Sequence, residues 1–423
     1  MYINFEFQSY IFQGGDILLE INLDFTFTLI LCITFLLIGS ILKFKINFFN
    51  KFCIPAPVIG GLLFTFFNTI LIILDISNIH IMNKITPFFM NVFFTILGLS
   101  ASFKLIKKGG KLLFTYWFLC GILALSQNII SVLVSKAIKI NPLIGLMCGT
   151  ISLEGGHGNA AAFGSTIESL GVENAVTVGL AAATIGVILG GLIGAPVSRY
   201  LIIKHNLKPN KKLTYNNSKL RCFSSNKNRS LRTSNFDINT ILEQILIILL
   251  CMSLGELITN LFYLKTNIVL PSVVGCMVVA CFFRNINEVI NIFKFNFDIL
   301  DPISEISLSM FLILALMNIN LIDLKNLAGP MLIIILVQIL FILFYSIFIC
   351  FKLLGKDFDA AVIISGLIGH GLGNTPNAIA NMNSITSKYG LSEKALLVVP
   401  LVGAFLLDIF TIPTILIFIN FFK

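Results

Sequence analysis

Long apolar runs without a charged residue are the feature that most constrains this chain. Residues 112–135 and 326–351 contain no Asp, Glu, Lys or Arg, and a helix of about 20 apolar residues crosses the hydrocarbon core of a bilayer. Of all 423 residues, 57% are hydrophobic and 12% are charged, whereas soluble domains carry about 25% charged residues. The chain is therefore predicted to be a polytopic membrane protein rather than a soluble enzyme, a disordered chain or a nucleic-acid binder.

Ten stretches are predicted to be transmembrane helices. They occupy residues 25–42, 54–74, 85–103, 112–135, 174–198, 241–264, 266–283, 302–322, 326–351 and 395–422. Two other apolar stretches, near 142–166 and 360–387, are rich in Gly, Asn, Ser and Thr. Irregular backbone at membrane depth requires protein or a wet cavity around it, so we expect a re-entrant loop in each of them.

Basic residues predict the orientation of the spans. With the N-terminus outside, 23 of the 29 Lys and Arg residues fall in cytoplasmic segments, as the positive-inside rule requires. Both termini are then outside. Residues 204–235 contain nine of the basic residues, and we interpret them as a cytoplasmic linker between residues 1–203 and 236–423. The first 24 residues contain acids but no Lys or Arg, so no signal peptide is expected.

The two halves correspond in sequence. Pro57–Gly61 matches Pro271–Gly275, Gly158-Asn159 matches Gly373-Asn374, and Pro196 matches Pro413, at offsets between 214 and 217 residues. Because each half holds five spans, the second half begins on the opposite side of the membrane. The predicted fold is an all-α polytopic membrane protein of ten transmembrane helices in two inverted-topology five-helix repeats, each with a re-entrant loop, as in many secondary transporters.

The two glycine-rich stretches contain the residues best suited to ligand binding. Glycine lets backbone groups approach a ligand, and a helix starting at such a loop presents free N–H groups that suit a carboxylate. Carbonyl, Asn, Ser and Thr oxygens suit Na+. Tight helix packing is the alternative, and it fits Gly186, Gly190, Gly191 and Gly194. It does not explain why Glu, His and Asn occur together in the loops.

Ionisable residues inside apolar segments are further candidates. Asp408 is the only charged residue of its 28-residue span, and such a group is a functional candidate by default: a Na+ ligand, a proton site, or a partner of Lys388 or His370. Glu154 is the corresponding acid of the first loop. The histidines of the two loops either donate to a substrate or satisfy loop carbonyls. No pattern indicates a Walker lysine, a nucleophile–base pair or a metal-ligand set, so neither an enzyme nor an ATP-driven pump is expected.

The motifs resemble those of the bacterial sodium/glutamate symporter family. Gly155-Gly156-His157-Gly158, followed by Ala160–Gly164, resembles its first re-entrant motif. Five further segments resemble the second motif and final span of that family: Gly371–Gly373, Thr375-Pro376, Ala378–Met382, Lys388–Gly390 and Val398–Phe405. The resemblance implies sodium-coupled uptake of L-glutamate across the inner membrane, and a homodimer with a static scaffold and a moving transport domain.

On this interpretation the two loop tips meet and bind the substrate. The predicted substrate-binding residues are Ser152, Gly155, Gly156, His157, Gly158 and Asn159 in the first loop and His370, Gly371, Gly373, Asn374, Thr375, Asn377 and Asn381 in the second. Asp408, Thr375 and Asn381 are predicted to hold Na+ as the coupling ion, with no organic cofactor. Alternatives are symport of citrate or another dicarboxylate, Na+/H+ antiport, a passive channel and an intramembrane enzyme.

Overall fold

A computed structural model describes residues 6–11, 17–51, 54–102, 110–209, 237–266, 270–318 and 321–423. The helices, in chain order, are α1 (Phe25–Lys45), α2 (Asn47–Lys51), α3 (Ala56–Ile73), α4 (Thr86–Ser100), α5 (Gly110–Ala137), α6 (Pro142–Met147), α7 (Thr150–Leu153), α8 (Gly156–Ser169), α9 (Ala175–Lys204), α10 (Ile238–Thr266), α11 (Ser272–Ile290), α12 (Phe297–Met317), α13 (Leu321–Phe344), α14 (Phe358–Gly371), α15 (Thr375–Tyr389), α16 (Glu393–Leu401) and α17 (Asp408–Phe422). A π-helical turn, Tyr345–Cys350, continues α13 to Leu353.

Eight helices of the described residues are long and apolar enough to cross a membrane: α1, α3, α5, α9, α10, α11, α12 and α13 with its continuation. Each overlaps one of the ten predicted spans, which supports the prediction of a membrane protein. The other two predicted spans are built differently. The third corresponds to α4, which has 15 residues, and the tenth is divided between α16 and α17.

The division of the last predicted span has a local cause. Pro400 lies inside α16, and a π-helical turn, Val402–Leu406, separates α16 from α17. Proline has no amide hydrogen to donate and its ring displaces the preceding turn. Wider π turns occur often at functional sites. Asp408, the first residue of α17, therefore follows directly after an interruption of regular helix.

A small sheet departs from the predicted all-α architecture. Strand β1 (Glu6–Ile11) pairs antiparallel with β2 (Ile17–Asn22), and β2 pairs parallel with β3 (Ser77–His80). The parallel pair is possible because α1 and α3 run out and back between the two strands, which gives the long crossover that parallel pairing needs. The side chain of Asn68 on α3 fixes β3, because its Oδ1 accepts from Ile79 N at 2.9 Å.

The long helices pack in two groups. The first helix group comprises α1, α3, α4, α10, α11 and α12, and the second comprises α5 to α9 and α13 to α17. Glycines allow the closest crossings of the first group: Gly60 faces the backbone of α1 at Phe35, and Gly275 faces the backbone of α10 at Gly255. Small residues allow such close approach between membrane helices.

Candidate functional site

Both glycine-rich stretches are broken helices. In the first, Glu154 and Gly155 separate α7 from α8, and Gly156 has a φ of +64°, a conformation that residues with a Cβ rarely adopt. No side chain of the described residues caps α8, so its first N–H groups are available to a ligand. In the second, α14 ends at Gly371 and α15 begins after Asn374, whose Oδ1 accepts from Asn377 N at 3.1 Å.

The two breaks lie against each other. A Cβ placed on Gly156 would be 3.6 Å from the carbonyl oxygen of Gly373 and 3.8 Å from Cβ of Asn374. A Cβ placed on the neighbouring Gly158 would be 3.8 Å from ring atoms of Phe93 and of Phe311, which belong to the first helix group. The predicted residues Gly156, Gly158, Gly373 and Asn374 are therefore brought together, at the boundary between the two helix groups.

The loop histidines are buried and bonded to hydroxyl groups. Nε2 of His157 lies 3.0 Å from Oγ1 of Thr184. His370 uses both ring nitrogens: Nδ1 lies 3.0 Å from the Tyr116 hydroxyl and Nε2 lies 3.1 Å from Oγ1 of Thr375. Because both nitrogens of His370 have protein partners, this ring positions Thr375 at the start of α15.

The remaining polar residues of the second loop hold α15 against α9. Asn377 Nδ2 donates to Val187 O at 2.8 Å, and Asn381 Nδ2 donates to Gly190 O at 2.9 Å and Ser365 O at 3.3 Å. The hydroxyl of Thr375 donates to Gly403 O at 2.9 Å. These amide nitrogens are occupied by protein carbonyls, which leaves the side-chain oxygens of the two Asn residues as the atoms that can face a cation.

The buried side-chain amide of Gln127 on α5 links the two broken helices. Its Nε2 donates to Gly371 O at 2.7 Å, its Oε1 accepts from Thr150 Oγ1 at 3.2 Å, and its backbone oxygen accepts from Gln338 Nε2 at 2.7 Å. In the sequence, Gln127 and Gln338 are polar residues in apolar runs, which indicates contacts between helices but not which helices. The sequence did not single out Tyr116 or Thr184, because neither residue stands out as strongly polar or charged within its apolar helix.

The acids form a second cluster beside the loops. Asp408 is half-buried, interacts with the side chains of Asn159 and Thr411, and lines a cavity of about 460 Å³ between α4, α11 and α17 whose other lining residues are apolar. Glu154 is 4% exposed, and neither of its carboxylate oxygens has a hydrogen-bond partner among the described residues. Asp408 begins α17, which packs against α7, and Glu154 directly follows α7.

The other predicted residues differ in their relation to this acid cluster. The hydrogen bonds of the described residues do not join Asp408 to Thr375 or Asn381, which were predicted to share Na+ with it. Lys388 lies near the far end of α15, about 20 Å from its start at 1.5 Å per residue, and lines a different cavity with Arg199. Ser152 is buried within α7, and its hydroxyl has no partner among the described residues. Gly155 packs against the side chain of Asn159.

Comparison with known proteins identifies relatives along nearly the whole chain. A family model described as sodium/glutamate symporter matches residues 21–391. The sodium/glutamate symporter of Haemophilus influenzae is 35% identical over 90% of this chain and 94% of its own, and that of Escherichia coli K12 is 36% identical over 92% and 95%. Among solved structures, the sodium proton antiporter MjNhaP1 from Methanocaldococcus jannaschii matches with a TM-score of 0.43 and 14% identity, over 93% of this chain and 95% of its own.

Proposed function

The chain belongs to the sodium/glutamate symporter family, and from that premise we propose that it is a secondary active transporter that carries L-glutamate into the cell together with Na+. The observation that carries the proposal is the contact of two broken helices, at Gly156 and Gly373, beside the buried Glu154 and the half-buried Asp408. Broken helices that offer free backbone groups bind substrate and coupling ion in secondary transporters.

The proposed site assigns different atoms to the two ligands. The free N–H groups at the start of α8, around Gly156 and His157, bind a carboxylate of glutamate, because the positive end of the helix dipole stabilises an anion there. The remaining loop residues shape the pocket. Asp408 holds Na+, since an ionised carboxylate at membrane depth needs a cation beside it. No residue of the chain acts as a catalyst in this scheme.

The proposed architecture is two inverted five-helix repeats with re-entrant loops. Three features support it. Close glycine crossings occur within one residue of matching places in the two halves, where Gly60 of α3 faces α1 and Gly275 of α11 faces α10. The pairs α3–α12 and α4–α11, which an exchange of the two halves would interchange, are both in contact. Prolines interrupt both α9 and α17, at Pro196 and Pro413.

The proposed mechanism is alternating access of the elevator type. In it, the second helix group carries the ligands and moves against the first. Support comes from the grouping of the helices and from the apolar cavity between α4, α11 and α17. A contact surface with few hydrogen bonds or ion pairs permits one helix group to slide against the other. The first helix group is also the proposed site of contact between the two subunits of a homodimer. We propose no nucleic-acid partner.

The proposed location is the inner membrane with both termini outside. Lys204, at the end of α9, then lies in the cytoplasm and Lys423 outside. In a background with Cys53 and Cys222 replaced by Ser, a membrane-impermeant maleimide should label Lys423→Cys on intact cells. It should label Lys204→Cys only after permeabilisation, and the reverse pattern contradicts the orientation.

Uptake by proteoliposomes tests the function. Labelled L-glutamate should accumulate against its gradient under an inward Na+ gradient, and should not accumulate when K+ replaces Na+. Unlabelled glutamate should compete better than citrate or other dicarboxylates. Accumulation that ignores Na+ contradicts the coupling, stronger competition by citrate contradicts the substrate, and equilibration without accumulation indicates a channel.

A further inference from the structure

The side chain of Glu154 is the strongest unexplained feature of the molecule. It is 4% exposed, and both carboxylate oxygens lack a hydrogen-bond partner among the described residues. It lies between α7 and α8, within the second helix group. A buried carboxylate without a partner is strongly unfavourable, so an ionised Glu154 requires a cation that the protein itself does not provide.

The surroundings of Glu154 supply anionic and neutral oxygens. Asp408 begins α17, which packs against α7 beside Glu154, and no Lys or Arg of the described residues forms a salt bridge with either acid. The side chain of Asn159 packs over Gly155, next to Glu154 in the chain, and also interacts with Asp408. The three residues therefore form one cluster of oxygen donors that carries two acids and no positive charge.

The backbone near both acids is irregular in a way that suits a cation. Glu154 ends α7 and precedes the break at Gly156, and Asp408 begins α17 after the π-helical turn Val402–Leu406. The two elements meet, because α17 packs against α7. Interrupted helices leave carbonyl oxygens without intrahelical partners, and Na+ is coordinated by such oxygens in transporters.

We propose that Glu154, Asn159 and Asp408 together bind the Na+ ion that is coupled to transport. The assignment rests on the proposed function and adds Glu154 and Asn159 to Asp408 as ligands. It does not include Thr375 and Asn381, because the Thr375 hydroxyl donates to Gly403 O and the Asn381 amide donates to Gly190 O and Ser365 O. The ion neutralises part of the charge of the two acids and joins the first loop to α17.

Equilibrium binding of radioactive Na+ to the purified full-length protein tests the proposal without requiring transport. The wild type should bind Na+ that unlabelled NaCl displaces and choline chloride does not. Glu154→Gln should weaken this binding by about tenfold or more, since one charged ligand is lost. The matched control is Glu168→Gln, because Glu168 lies exposed on α8, the helix that also contains Asn159, and it should bind Na+ like the wild type.

Two further variants keep the test decisive. Glu154→Asp retains the charge and should bind more tightly than Glu154→Gln, which distinguishes ligation from misfolding. Asn159→Ala should weaken Na+ binding as well. Wild-type affinity in Glu154→Gln, or an absence of Na+ binding by the wild type, overturns the proposal. If Na+ binding behaves as expected but glutamate is not accumulated by proteoliposomes, the proposed function fails and the ion site stands.

Discussion

At the scale of single residues, the site depends on side chains whose partners lie far away in sequence. His370 joins Tyr116 on α5 to Thr375 on α15, and Thr375 continues the contact to the carbonyl of Gly403. Gly403 lies so close to the His370 ring that a Cβ there would overlap Nε2. The start of α15, and with it one wall of the proposed site, is therefore positioned by packing against the interruption before α17.

Gly403→Ala tests this packing. The added methyl group should displace His370 and Thr375 and cost about 1–3 kcal/mol, the usual range for overpacking a core. We expect glutamate uptake by proteoliposomes to fall strongly. Gly329→Ala is the matched control, since a Cβ on Gly329 meets nothing within 4 Å, and its uptake should remain normal. Equal activity of the two variants contradicts the role given to His370.

Asp408→Asn tests the proposed coupling residue. Loss of the negative charge should raise the Na+ concentration that gives half-maximal glutamate uptake by about tenfold or more. Uptake at saturating Na+ should be less affected, because the backbone groups that bind glutamate are unchanged. The measurement is uptake at graded Na+ and constant ionic strength. An unchanged Na+ dependence removes Asp408 from the ion site.

At the scale of helices, the two broken segments are connected through α5 as well as through their own contact. Gln127 bonds with one amide to Thr150 on α7 and to the carbonyl of Gly371 at the end of α14. Its backbone oxygen accepts from Gln338 on α13. Because every one of these groups is buried, each bond lost leaves an unsatisfied polar group in an apolar environment.

Gln127→Leu should loosen both segments. Leaving Gly371 O without this donor costs about 1–3 kcal/mol, so the apparent Tm of the purified protein should fall and maximal glutamate uptake should decrease. Gln338→Leu removes a single bond and should show a smaller effect. Asn383→Ala, at an exposed position of α15, is the neutral control. A Tm for Gln127→Leu equal to that of this control would mean that the amide is dispensable.

At the scale of the whole molecule, the cavity between α4, α11 and α17, where the two helix groups meet, is apolar except at Asp408. The cavity there is lined by Gly98 of α4 and Ala101 directly after it, Met277 and Val278 of α11, and Ile412 of α17, among others. Few polar contacts hold the two groups together at this place. A sliding movement of one group against the other would have to pass through this cavity.

Val278→Phe should obstruct such a movement. The larger side chain fills part of the cavity, so maximal uptake should fall while equilibrium Na+ binding stays close to that of the wild type. Val289→Phe, on the same helix and 80% exposed, is the matched control and should transport normally. Normal uptake by Val278→Phe contradicts a movement at this boundary.

The sequence by itself determined that the chain is a membrane protein and where most helices lie. Eight of the ten predicted spans coincide with long apolar helices of the described residues, because apolar length is a local property that the bilayer selects directly. The sequence also carries the resemblance to the symporter family, since motifs such as Thr375-Pro376 and Gly371–Gly373 are contiguous. The two glycine-rich stretches, which the structure shows as broken helices, stand out in the sequence for the same reason.

The tertiary structure decided which of those residues face one another. The sequence does not indicate that Glu154 lies beside Asp408, that Gln127 bridges Thr150 and Gly371, or that Lys388 lies far from the loop tips. Each of these facts depends on how helices from both halves pack, and apolar helices resemble one another too closely for sequence to select partners. The sequence likewise did not predict the short sheet or the break before Asp408. Short strands and a single π-helical turn change the spacing of apolar residues in the sequence too little to be recognised.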